Sequence, residues 1–271
     1  MQSFSEKITR AQQKANSLVC VGIDPVVEKL PSPVTPAVGG FFEFAKAIID
    51  ETADLVCAYK PNSAFFEAHG EVGIVQLKKI CDYISGQTEV PIILDAKRGD
   101  IGNTNEGYAQ FAFEYLGVDA ITVHPYQGLG ALAPFLKHTG RGIIVLCHTS
   151  NPEAQQFQEM IVDGKPLYMH VAKECFNMYK TNSNVAIVAG ATYPEEMSNL
   201  RLAIGDMNML VPGIGAQGGA VDAIKNGLTE AGRGVIVNAS RSVLYASAQQ
   251  DFAQAARSET QKLQNLINSL R

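Results

Sequence analysis

The segment Asp95-Ala-Lys97-Arg-Gly-Asp100 directly follows the apolar run PIIL. In an extended chain, side chains two residues apart share a face, so Asp95 and Lys97 stand together while Ala96 points the other way. In a poorly hydrated place a lone carboxylate or ammonium is unfavourable, whereas a pair keeps both partners ionised. Asp100 follows on the loop, and Lys60, in VCAYKPNSAFF, sits where another apolar run ends. Alone, Lys60 reads as a solvated lysine. Beside the other three it completes an alternating set, Lys60, Asp95, Lys97 and Asp100. Such a set fixes its own rotamers and offers preorganised charge to a transition state. A structural ion pair is the plainer alternative, but it accounts poorly for four charges.

A second group of residues suits an anion. Pro212-Gly-Ile-Gly-Ala-Gln-Gly-Gly219 formally contains GxGxxG at Gly213, Gly215 and Gly218. A dinucleotide fingerprint would open a βαβ unit and be followed by an acid on the next strand. Here the next apolar run is GVIVNAS, without an acid. What survives is the mechanism: glycines let backbone N–H groups approach a phosphate, and Gln217 adds an amide donor. In Asn238-Ala-Ser-Arg-Ser242, Arg241 can contact a phosphate through two N–H groups. Asp24, before Pro25, can accept from a sugar hydroxyl or simply form a turn. In Cys147-His148-Thr149-Ser150, neighbouring residues of a regular strand face opposite ways, so Cys147 and His148 do not form a dyad, and Ser150 is the better hydrogen-bonding group. His124 has no visible acid partner and reads as a supporting residue. No HExxH or Cys/His cluster points to zinc, and the acids form no evident magnesium cage.

These residues need elements to hold them. Eight short, nearly continuous apolar runs read as strands, at 18–24, 56–62, 91–97, 120–124, 142–149, 185–192, 208–215 and 234–240. Continuous rather than alternating hydrophobicity is the pattern of strands buried on both faces of a parallel sheet. Amphipathic stretches at 37–52, 71–85, 104–116, 128–137, 166–180, 194–205, 220–226 and 241–270 read as helices. Eight such units in 271 residues fit a TIM (β/α)8 barrel, an α/β fold, as a single domain over residues 1–271. A doubly wound open sheet is the structural rival. The polar residues at the C-terminal ends of nearly all the runs favour the barrel, whose reactive face lies there.

With 46% hydrophobic and 18% charged residues, the chain can build a large core. A net charge of −5 and the lack of a basic run argue against nucleic-acid or anionic-membrane partners. No apolar stretch has the length of a membrane span, and the polar, amphipathic N-terminus has no secretory apolar region. Five cysteines without a CxxC pair read as small buried hydrophobes in a reducing compartment, so the cytoplasm is the expected location.

The motifs VGIDP (21–25), YKPNSAFFE (59–67), LDAKRGDIGNT (94–104), HPYQG (124–128), CHTSNP (147–152), GATYPEE (190–196), VPGIGAQGG (211–219) and NASRSVLYA (238–246) run in order along most of the chain. In them the sequence closely resembles the orotidine 5′-phosphate decarboxylase family, in its longer bacterial form. The resemblance implies a TIM barrel, a homodimer with sites at the subunit interface, and no metal or organic cofactor. It implies loss of CO2 from orotidine 5′-phosphate to give UMP in pyrimidine biosynthesis. Lys97 would be the proton donor to C6, oriented by Asp95 and Asp100, with Asp24 and Lys60 on the ribose hydroxyls. Ser150 would meet the pyrimidine edge, and Gln217 and Arg241 the 5′-phosphate. Asp100 and Thr104 would reach into the neighbouring subunit's site. The segment 151–184 is long for the family; a lid and a dimer-surface extension are both open readings. The rival is a metal-dependent sugar-phosphate decarboxylase or aldolase of the same superfamily. It shares the DxKxxD pattern but typically has a glutamate in place of Lys60, where an ammonium would repel magnesium.

Overall fold

A computed structural model describes residues 2–190, 194–213 and 219–271, with the backbone alone for 219–222. The apolar runs form strands β1 (Val19–Ile23), β2 (Ala58–Pro61), β3 (Ile93–Arg98), β4 (Ala120–Val123) and β5 (Gly142–His148). A short hairpin, β6 (Ile161–Val162) and β7 (Lys165–Pro166), precedes β8 (Val185–Ala189), β9 (Met209–Val211) and β10 (Val235–Ala239). The eight long-range strands pair in parallel in the order β2-β1-β10-β9-β8-β5-β4-β3. The outer strands meet through parallel bridges Tyr59↔Ile92 and Asn62↔Asp95, which bring the sheet round into a barrel. Helices run between the strands, among them Phe41–Thr52, Gly70–Gln87, Gly102–Ala109, Leu167–Tyr179 and Pro194–Ile204. The architecture is the (β/α)8 barrel expected from the strand pattern.

Alternation along each strand sorts its residues into two cores. Cys20, Ala58, Ile93, Ala120, Ile144, Ala186, Leu210 and Ile236 face inward, one from each barrel strand. Their neighbours, such as Val19, Val21, Tyr59, Leu94, Ile121 and Val237, pack against the helices. The inward set is small-to-medium in size, as a barrel interior requires. Its floor is closed by α1 (Phe4–Ala15), which starts with a capping box between Ser3 and Glu6. Phe4, Ile8 and Ala11 recur at helical spacing on one face and join the inward core. A Cβ on Gly142 would collide with the Phe4 ring, so the glycine makes room for the plug. Lys7 then pairs with Asp119 at 2.5 Å, and the Gln12 amide donates to the Val235 carbonyl at 2.8 Å. No helix among the described residues is long and apolar enough to cross a membrane.

Three elements differ from the sequence pattern. The helix expected over 241–270 is two, Arg241–Leu244 and Phe252–Asn268. The one expected over 128–137 is a 3-10 turn, Leu129–Leu132, followed by Ala133–Leu136. Pro134 explains the restart, since it has no N–H to give to a helix already running. The β6–β7 hairpin turns on Asp163 and Gly164, at φ 48° and 75°, the positive-φ pair of a tight two-residue turn. Ile8→Ala is expected to lower stability by about 2–5 kcal/mol, because Ile8 is fully buried and its truncation leaves a cavity in the floor. Urea denaturation would read this as a lower midpoint at unchanged slope.

Candidate active site

At the C-terminal mouth of the barrel, inward positions turn from apolar to charged. Lys60 lies near the end of β2 and is 4% exposed, and Asp95 in β3 is 9% exposed. The Lys60 ammonium donates to Asp95 Oδ2 at 2.7 Å, and Lys97 Nζ donates to Asp95 Oδ1 at 2.6 Å. Asp95 therefore holds one ammonium on each oxygen. Burial alone would push its carboxyl up, but the charges of Lys60 and Lys97, and their hydrogen bonds, outweigh it and bring it down to about 2. Burial likewise works against the Lys60 ammonium, yet the charges of Asp95 and Asp24 leave its pKa raised. Lys97 differs from Lys60 in exposure: its side chain is 49% exposed and reaches into the mouth.

Asp95 and Lys97 share a face as the two-residue spacing implies, but the strand between them is not regular. Leu94 pairs with Ile121 and Arg98 with Val123, so Asp95, Ala96 and Lys97 lie opposite Thr122 alone. This is a bulge, and Lys97 adopts φ 47°, in the left-handed region that side-chain-bearing residues rarely enter. The Thr122 hydroxyl accepts from the N–H groups of Ala96 and Lys97 at 3.0 and 2.9 Å, and donates to Asp95 Oδ1 at 2.9 Å.

Asp24 follows β1 on the same face. Burial raises its pKa, with the Lys60 charge and the Ser240 hydroxyl acting the other way. Its Oδ1 is buried with no hydrogen-bond partner among the described residues, which leaves an acceptor free for a donor. Gly22 allows the close approach of β10, since a Cβ there would collide with Ser240 Oγ. Tyr245 fixes the turn: its hydroxyl accepts from Val26 N at 2.9 Å and donates to the Asp24 carbonyl at 3.1 Å.

The remaining sequence candidates lie around this centre. Asp100 forms no ion pair among the described residues; its carboxylate accepts the Ile101 N–H at 2.8 Å. Thr104 is exposed in the first turn of Gly102–Ala109. Ser150 abuts Gly190, where a Cβ would stand 3.0 Å from the Ser150 nitrogen. Arg241 is exposed at the start of the helix after β10. Gln217 lies outside the described residues.

Of two residues that brace the Asp100 loop, sequence reasoning missed Asn105 and read His124 as a supporting residue. Asn105 is fully buried, accepts from Asp100 N at 2.9 Å and donates to the Ala131 carbonyl at 2.8 Å. The His124 ring packs against Gly99, where any Cβ would strike it. Cys147 and His148 form no dyad. Cys147 Sγ contacts the Tyr168 carbonyl at 3.2 Å. The His148 ring stacks on Tyr168 and lies between Glu159 and Glu196, at 3.3 and 3.2 Å. That arrangement ties the segment after β5 to the helix after β8. A cleft of about 500 Å³ near Arg10, Lys14 and Glu89 is at the opposite end of the strands, away from the charged cluster.

The family model described as "Orotidine 5'-phosphate decarboxylase / HUMPS family" matches residues 17–257. The chain is 47% identical to a Cupriavidus metallidurans protein named orotidine 5′-phosphate decarboxylase, over 99% of each chain. It is 48% identical to a protein of that name from Cellvibrio japonicus, again over 99% of each. The solved structure of Leishmania donovani OMP decarboxylase is similar with a TM-score of 0.87 and 32% identity, covering 99% of this chain and 98% of that one.

Two outcomes follow from the Asp95 pairing. Asp95→Asn leaves buried Lys60 without its counter-charge and is expected to lower stability by about 3–5 kcal/mol in chemical denaturation. In the wild type, a carboxyl held at about 2 against an ordinary 3.8 adds stability above pH 3.8 that is lost as pH falls towards 2. Acid titration of the unfolding midpoint should show this loss in the wild type and less of it in the asparagine variant.

Proposed function

We propose that this chain, which belongs to the orotidine 5′-phosphate decarboxylase / HUMPS family, converts orotidine 5′-phosphate to UMP and CO2 in pyrimidine biosynthesis. The observation that carries the reading is the Lys60–Asp95–Lys97 array at the mouth of the barrel, buried at Lys60 and Asp95 and open at Lys97. The C6–carboxyl bond breaks, CO2 leaves, and the electron pair stays on C6 as a vinyl-type carbanion with no ready electron sink. The site must stabilise that charge in place and then supply a proton. The Lys97 ammonium suits both tasks: it is already fixed by Asp95 and is the exposed member of the array. After giving its proton to C6, the neutral amine regains one from solvent.

Other residues take roles around this step. Asp24, with its free buried oxygen, accepts from a ribose hydroxyl, and Lys60 donates to a neighbouring one. Ser150 meets the pyrimidine edge, and Gln217 and Arg241 hold the 5′-phosphate, whose binding, far from C6, supplies free energy to close the site. The reaction needs no metal or organic cofactor in this reading. A divalent cation beside Asp95 would meet two ammonium groups already within 2.7 Å, which disfavours the metal-dependent sugar-phosphate branch.

The working unit in this reading is a homodimer of single-domain barrels, each spanning 1–271. Asp100 is unpaired with lysine among the described residues, and the 63%-exposed Ile101 and the exposed Thr104 follow it closely in the chain. In the dimer Asp100 completes the partner's Lys-Asp-Lys-Asp array and Thr104 adds a contact to that site. The five free, buried cysteines suit a reducing compartment, and we assign the enzyme to the cytoplasm.

Turnover of orotidine 5′-phosphate, followed at 285 nm with EDTA present, tests the reading; activity abolished by the chelator would favour the metal-dependent branch instead. Lys97→Ala is expected to abolish turnover in a protein that remains folded, and near-normal turnover would remove Lys97 from its role. Mixing Lys97→Ala with Asp100→Ala protein should restore activity in hybrid dimers. No recovery despite subunit exchange would contradict the shared site.

A further inference from the structure

We propose that Thr122 is a positioning residue for the reacting lysine, acting through the backbone of β3 and the carboxylate of Asp95. The inference rests on the decarboxylase reading and adds to it a residue outside the charged array. Three β3 residues lie opposite Thr122, so the strand ladder cannot pair all of their backbone groups. The Thr122 side chain stands in for the missing partner. One hydroxyl proton and two acceptor sites are all it has. All three are used: two by the N–H groups of Ala96 and Lys97, and one by Asp95 Oδ1.

The same Asp95 oxygen receives the Lys97 ammonium at 2.6 Å. Thr122 thus grips Lys97 at both ends, at its backbone nitrogen directly and at its ammonium through the carboxylate. It also supplies the acceptor for the Lys97 N–H where that residue adopts φ 47°. At 1% exposure Thr122 is closed to solvent, so bulk water cannot take over these bonds. The direction in which the ammonium points is therefore set by a side chain that does not touch it.

The test compares Thr122→Val and Thr122→Ala, which lack the hydroxyl, with Thr122→Ser, which keeps it. Either hydroxyl-free variant should lose about 10–100-fold in kcat. The Kd for UMP, measured by calorimetry, should stay within about twofold, because Thr122 is not among the residues that hold the nucleotide in the decarboxylase reading and Lys60 keeps the other Asp95 oxygen. The serine variant should recover kcat to within about threefold of wild type. Wild-type kcat without the hydroxyl, or a serine variant as slow as valine, overturns the proposal. So does failure of both hydroxyl-free variants to fold, because the hydroxyl would then serve folding. Turnover by the wild-type protein decides the decarboxylase reading separately. Should that reading fail, crystal structures of the variants still decide the geometric claim: the Lys97–Asp95 pair must part without the hydroxyl and persist with serine.

Discussion

One carboxylate with an ammonium on each oxygen is the constraint around which this barrel mouth is arranged. Lys60 and Lys97 bring the buried Asp95 carboxyl down to about 2 against its desolvation, and Asp95, with Asp24, keeps the pKa of Lys60 raised at 4% exposure. Each group's placement is conditional on the others. The result is a rigid line of charge whose inner end is sealed in protein and whose outer end, Lys97, faces the opening. A group that must act on an unstable anion gains from such fixity, because little reorganisation remains to be done when the charge develops.

The barrel makes this arrangement possible by separating two jobs along the same strands. Below the mouth, Cys20, Ala58, Ile93 and Ala120 pack against the floor formed by Phe4 and Ile8 and supply the stable core. One step further along β2 and β3, the inward positions become Lys60 and Asp95. The packed layer beneath them keeps water out of the inner end of the array, which strengthens its electrostatics. Regular strand geometry is given up at one place, the bulge at Ala96–Lys97, and the bonds lost there are replaced by a side chain from the adjacent strand.

The sequence was most informative where a local rule governs the outcome. Apolar runs marked the eight strands, and the two-residue spacing correctly put Asp95 and Lys97 on one face. The bulge could not be read this way, since the left-handed turn at Lys97 depends on the register of β3 against β4. Asn105 was equally silent, because one of its partners is a backbone carbonyl 26 residues away. Pro134 and the Asp163-Gly164 turn were different: both carried a local signal, hidden within stretches whose average pattern suggested something longer. The pyrimidine role given to Ser150 and the cross-subunit role given to Thr104 came from family resemblance, whereas Arg241 already reads as a phosphate contact from its place after the eighth apolar run.

The seam between β1 and β10 joins residues as distant as Cys20 and Asn238, 218 positions apart. During synthesis the first strand emerges long before its neighbour on that side exists, and until then one row of its amide and carbonyl groups stays unpaired. A nascent chain in this state carries an adhesive margin. Its final ring closure is a late, entropically demanding event that gathers the two ends of the polypeptide. The order of translation thus makes Asp24 and Ser240, which meet across that seam, among the last neighbours to find each other.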